Sequence, residues 1–298
     1  MRGKVTYFVL WLFSRLPRTL SQRIGRGIGY LNYHIKTRSF LVTRANLQLC
    51  FPDMDPVERD LLTLKSLIST GQTLMETPTV WLGSAEKLRG WIKSVSGREI
   101  YNEALEGGKG VIILLPHVGN WELFNTFFAN IGKMTALYHP PRQQYLRDSM
   151  IKIRSHFGNE LVATNIKGIA RLYRVLGEGG VVTILPDQIP SGGIFAGFMG
   201  VKTLSDKLVS RLLKKTGAAA VVVSIIRDED GLFHVAFDPA DESIYDSNIE
   251  VSVSGVNKSV ELCLSRCTEQ YQWEYKRFRE RPKGELKIYR FGKADEFH

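Results

Sequence analysis

His117 and Glu122, five residues apart, are the side chains best suited to carry chemistry. A histidine beside a carboxylate makes a general base. The imidazole takes a proton, and the carboxylate fixes the tautomer and stabilises the imidazolium that forms. Within one helix, residues five apart sit about 140° apart around the axis and share no face. The two can meet if His117 lies on a strand-to-helix turn and Glu122 in the first helical turn. Val111 to Pro116 is an uncharged run opened by Gly107-Gly108-Lys109-Gly110, which reads as a buried strand. Asn120 is a good N-cap, and Trp121-Glu122-Leu123-Phe124 begins a helical pattern whose dipole favours Glu122. The same residues also fit a turn histidine and a helix-start carboxylate with no chemistry, and a motif this short does not separate the two.

Asp187 and Gln188 follow a second apolar run, Val181 to Leu185. A strand-end aspartate is often a turn former. At the carboxyl end of a parallel strand it also stands where such folds place their sites. Arg154 lies in a helical stretch from 143 to 157 and suits bidentate binding of phosphate or carboxylate, or a surface ion pair of little energetic worth. The three cysteines show no metal-ligand spacing, and no Gly-x-Ser-x-Gly elbow is present. No acyl-enzyme, metal or cofactor is therefore expected.

His117-Val-Gly-Asn-Trp-Glu122 resembles the His-x4-Asp/Glu box of the lysophospholipid acyltransferase superfamily, in particular its lipid A biosynthesis (lauroyl and myristoyl) acyltransferases. Further blocks are similar, in order along the chain. They are Asn46-Leu-Gln-Leu-Cys-Phe-Pro52 with Glu58-Arg59, Leu74-Met-Glu-Thr77 with Trp81, Ile153-Arg154-Ser155, Pro186-Asp187-Gln188, and Tyr271 to Arg279 with Arg281-Pro282. The resemblance implies a glycerolipid-acyltransferase-like α/β fold. It also implies transfer of a fatty acyl chain from acyl-carrier protein to a hydroxyl of a lipid A precursor, at the cytoplasmic face of a bacterial inner membrane. His117 is then the base, supported by Glu122, with Arg154, Asp187, Gln188 and Asn120 contacting substrates. Ile189 stands where the family often has a second acid, and Phe198-Met199-Gly200 departs from its Phe-Phe-Gly. A lysophospholipid or other glycolipid acceptor, and a non-catalytic membrane-surface protein, are the alternatives.

The elements that position these residues read as α/β. Strands are expected at 111–116, 134–138, 161–163, 181–185, 219–226 and 232–237, with helices at 55–82, 85–106, 123–130, 143–157, 167–177, 203–215 and 250–279. Their alternation predicts a mainly parallel sheet covered by helices on both faces. Residues 45–298 form the expected acyltransferase domain. Residues 1–44 carry nine Lys or Arg and no acid, although the whole chain of 298 residues is only +10. Leu20, Ile24, Ile28, Leu31 and Ile35 make an apolar stripe there, so a basic amphipathic helix is expected, either on an anionic membrane or packed on its own domain. Val5 to Phe13 is very apolar, but shorter than the roughly 20 residues a spanning helix needs. The glycines at 25, 27 and 29 follow no strand and suit close packing better than a nucleotide loop. Trp273, Tyr275 and Phe278 alternate with cations, but no nucleic-acid motif accompanies them and no nucleic-acid partner is expected.

Overall fold

The computed structural model describes residues 2–138 and 157–291. The helix expected at 143–157, with Arg154, lies outside the described residues. Seven strands form one sheet in the order β1(Ile92–Ser96), β9(Phe233–Pro239), β8(Ala219–Arg227), β2(Val111–Leu114), β5(Val181–Ile184), β3(Met134–Tyr138), β4(Glu160–Ala163). Every pairing is parallel except β8 with β9. β2 and β5 are buried at every residue, as strands covered on both faces must be. Side chains alternate across the pleat. Ile112 and Leu114 join a core with Val222, Val256, Trp273 and Phe278 on one face, while Val111 and Ile113 join Phe124, Phe128, Phe233 and Phe237 on the other.

The helices are α1(Arg2–Ser14), α2(Arg18–His34), α3(Arg38–Cys50), α4(Pro56–Leu82), α5(Ala85–Arg89), α6(Arg98–Glu106), α7(Leu123–Phe128), α8(Ile166–Gly177), α9(Leu208–Thr216) and α10(Ile249–Arg266). The long α4 starts on Asp55, whose carboxylate accepts from the backbone N–H of Val57 at 2.8 Å, with Pro56 following. α2 lies against α4 backbone to backbone. A Cβ on Gly25 would come within 2.4 Å of Gly71 O, and one on Gly29 within 2.4 Å of Ile68 Cα. Gly27 points away from that contact, with nothing near it.

The structure departs from the sequence reading in three places. The helix expected over 85–106 is split by β1, an edge strand whose polar, mostly exposed side chains give no apolar alternation to read. Val201–Ser205 is not helical but the second strand, β7, of an antiparallel hairpin with β6(Ile194–Phe198). The last helix stops at Arg266, where Cys267 turns extended at φ −160°. Beyond it, Tyr271, Trp273 and Phe278 are buried, so the aromatic and basic stretch is a packed core segment and not a stacking surface for bases.

Candidate active site

The two apolar runs of the sequence are the neighbouring parallel strands β2 and β5, and Leu114 pairs with Ile184. The residues after each strand are matched as well, Leu115-Pro116-His117 against Leu185-Pro186-Asp187. His117 and Asp187 therefore stand level, each three residues past its strand. They meet twice. The backbone N–H of His117 donates to Asp187 Oδ2 at 2.8 Å, and ring Nδ1 lies 2.8 Å from Oδ1. The carboxylate accepts both, so Nδ1 carries the proton and Nε2 keeps its lone pair. On that side the amide nitrogen of Gln188 lies 3.2 Å from Nε2. Trp121 packs edge-on against the imidazole, with ring centroids 4.8 Å apart.

Both partners are nearly sealed from solvent, with side-chain exposures of 10% for His117 and 2% for Asp187. Burial opposes ionisation of Asp187. The charge of His117, its ring and backbone hydrogen bonds and the Arg277 guanidinium outweigh that and hold the carboxyl below its ordinary range. Arg277 is itself buried, donating to Leu204 O at 2.7 Å and Ser205 Oγ at 2.9 Å.

The carboxylate on Nδ1 is thus Asp187, where the five-residue spacing pointed to Glu122. The reason is the path of the chain. Residues 118–120 run alongside neighbouring backbone instead of entering a helix directly. Val118 bridges to Tyr271, and Asn120 N–H donates to Ile225 O at 3.0 Å. α7 begins only at Leu123, and Glu122 accepts the indole N–H of Trp81 at 3.0 Å. Asn120 is not the side-chain cap of that helix. It is fully buried, and its amide donates to Glu76 Oε2 at 2.9 Å.

Glu76 belongs to a buried ion pair that braces the loop from below. Arg227 donates to it from Nε at 2.7 Å and from a terminal nitrogen at 2.6 Å, and Gln22 of α2 adds a bond of 2.7 Å. Thr73 of α4 donates to Gly119 O at 3.2 Å, and Gly119 N–H donates to Gln270 O at 2.9 Å. Gly119 has φ +61°, and a Cβ there would lie 1.8 Å from Ile225 O, so this turn tolerates nothing larger than glycine.

The segment after Gln270 forms the other wall. Gln272 N–H donates to His117 O at 3.0 Å, Gln272 Oε1 accepts from the Gln188 amide at 3.3 Å, and Thr70 donates to Glu274 at 2.9 Å. Burial pushes the Glu274 carboxyl up, against these hydrogen bonds and the nearby His117 charge. Glu76, Gln272 and Glu274 fall in the Leu74–Thr77 and Tyr271–Arg279 blocks and Arg227 in none, and their meeting is not legible in sequence because they come from three distant segments. The matched Leu-Pro-His and Leu-Pro-Asp endings are the sequence signal that pairs His117 with Asp187.

The arrangement holds the imidazole by Nδ1 and turns Nε2 to a polar wall, where the Gln188 amide meets it, which is the geometry of a general base for a hydroxyl. The cysteines do not compete as nucleophiles. All three are buried, and burial pushes the thiols of Cys263 and Cys267 up to about 12, far from thiolate at neutral pH. Among the described residues, no three His, Cys, Asp or Glu side chains converge to hold a metal ion.

The chain is 28% identical to the lipid A biosynthesis palmitoleoyltransferase of Escherichia coli K12, over 94% of this chain and 92% of the relative. It is 28% identical to the lauroyltransferase of the same organism over 93% and 90%, and 26% identical to its myristoyltransferase over 90% and 82%. Residues 5–280 match the model of the bacterial lipid A biosynthesis acyltransferases, and that span holds every element of the site just described. The chain belongs to this family and is an acyltransferase.

Proposed function

We propose that the protein transfers a fatty acyl chain from acyl-carrier protein to a hydroxyl of a lipid A precursor, late in lipid A assembly. The observation that carries this reading is the His117–Asp187 pair, which holds the imidazole by Nδ1 and leaves Nε2 to face an incoming hydroxyl once the Gln188 amide moves aside. In this reading the acceptor O–H displaces the Gln188 amide from Nε2. Its oxygen attacks the thioester carbonyl as the proton passes to Nε2, and the tetrahedral adduct expels the thiolate, which regains that proton. Asp187 stabilises the imidazolium between the two transfers. Glu122 is held by Trp81, and in this reading Arg154 supplies a cation for a substrate phosphate.

The acceptor is amphiphilic and has to be reached at a lipid surface. α1, α2 and the Ile35 that caps α2 expose Phe8, Trp11, Leu12, Leu20, Ile24, Leu31 and Ile35, with Arg23 and Arg26 also exposed. Such helices lie in an interface with their cations on anionic head groups. No helix among the described residues is long and apolar enough to cross a membrane. The reading therefore has residues 1–44 seated on the cytoplasmic face of the inner membrane, where carrier protein is at hand.

The test is transfer of labelled acyl chains from acyl-carrier protein to a lipid A precursor. Wild type should acylate the precursor, and His117→Ala should lose about 10²–10⁴ in rate. A wild type that acylates lysophospholipid but not the precursor would overturn the acceptor. A trapped covalent acyl-enzyme would overturn direct transfer.

A further inference from the structure

The proposed transfer develops negative charge on the thioester oxygen, and nothing above stabilises it. The side chain that meets Nε2 of the base is Gln188. Its amide nitrogen lies 3.2 Å from His117 Nε2 and 3.3 Å from Gln272 Oε1, so its two hydrogens face two acceptors. A primary amide is symmetric in shape, and its orientation is decided by its neighbours. Here the decision runs back to one neighbour. Gln272, whose backbone N–H is pinned to His117 O at 3.0 Å, turns its side-chain oxygen to Gln188. The Gln188 oxygen is thereby turned away from Nε2 and its N–H groups are turned toward it.

We propose that Gln188 is the oxyanion donor of the acyl transfer, a catalytic residue oriented by the positioning residue Gln272. The inference rests on the acyl-transfer reading of the same site. The entering hydroxyl occupies the place of the amide nitrogen beside Nε2, and the amide moves by about one hydrogen-bond length toward the carbonyl the hydroxyl attacks. As the new C–O bond forms, the carbonyl π pair moves onto oxygen, which accepts the Gln188 N–H. When that pair returns, the C–S bond breaks. Sulfur leaves with the bonding pair and takes the proton held on His117 Nε2. Gln188 neither gains nor loses a proton, so it acts by charge stabilisation alone.

Gln188→Met keeps the length of the side chain and removes the donor. In the acyl-transfer assay its kcat should fall about 10²–10³-fold, with KM for the acyl donor little changed and the pH profile of kcat/KM unmoved, because the base is intact. Gln272→Met removes the oxygen that orients the Gln188 amide and should lower kcat by roughly 10–100-fold at constant KM, with Gln272→Glu, which keeps the acceptor, recovering part of the loss. Equal melting temperatures for wild type and Gln188→Met exclude a folding effect. If wild type transfers acyl chains and Gln188→Met matches its kcat, the oxyanion role is overturned while the acyl-transfer reading stands. If wild type transfers to no hydroxyl acceptor, that reading fails and the oxyanion role fails with it.

Discussion

Replacing Asp187 by Asn tests the site at its smallest perturbation, since one oxygen becomes an amide nitrogen. Asp187 accepts two bonds of 2.8 Å, from the His117 backbone N–H and from ring Nδ1–H. An asparagine has one acceptor oxygen and one donor group to meet two donors. If its oxygen stays on the backbone N–H, its NH2 faces Nδ1. The ring then has to carry its proton on Nε2, where no hydroxyl proton can be taken. If the amide flips, the tautomer survives, but two N–H groups collide at the backbone. In the serine-protease triad the corresponding substitution costs roughly 10⁴ in kcat. A loss of about 10³–10⁴ is expected here, equal to about 4–5.5 kcal/mol at 1.36 kcal/mol per decade. The assay is single-turnover transfer from acyl-carrier protein at saturating donor, with Glu122→Gln run in parallel. Near-wild-type turnover by Asp187→Asn, with Glu122→Gln inactive, would refute the argument and return the orienting role to Glu122.

Gly119→Ala should abolish activity and lower the melting temperature, because the new methyl meets Ile225 O in a left-handed turn; activity and thermal unfolding together check it. Glu76→Ala leaves Arg227 buried without its carboxylate and should cost about 3–5 kcal/mol of stability, read by denaturant unfolding. Asp187 also predicts acid behaviour. Its folded carboxyl is held low, so its stabilisation is fully present above the unfolded value of about 3.9 and is lost as pH falls through the folded value. Asp187→Asn should therefore show a shallower fall of stability than wild type below about pH 4, measured by melting temperature against pH. Arg23→Gln with Arg26→Gln should weaken binding to anionic vesicles by roughly 30-fold, at about 1 kcal/mol per cation, and leave binding to neutral vesicles unchanged.

The strands that build the site were legible because burial on both faces leaves long apolar runs, as in Val111 to Leu115 and Val181 to Leu185. The edge strand β1 was not, because Lys93, Ser94 and Ser96 answer to water and carry no core pattern. That His117, Asp187 and Gln188 follow strand ends could be read from the apolar runs before them. Which carboxylate sits on His117 could not, because spacing along the chain says nothing of strand order. That β2 and β5 are neighbours is decided by the crossover through α7, β3, β4 and α8, and once they are neighbours the common Leu-Pro ending brings the two side chains level.

The same ion pair that braces the loop after His117 also reaches the helices proposed to meet the lipid. Gln22 and Asn120 bond the two oxygens of one carboxylate, Glu76 Oε1 and Oε2, from opposite sides. Between them stands α4, in backbone contact with α2 through Gly25, Gly29 and Gly71. A buried charge of this kind is held only while all its partners stay in place. The basic amphipathic helix α2 is therefore fixed in orientation relative to His117, and its exposed apolar residues and cations lie at a set distance from the base. On the proposed reading, an acceptor lipid drawn from that surface meets His117 at a separation set by the α2–α4 packing, and loosening that contact should alter the choice of acceptor before it alters the chemistry.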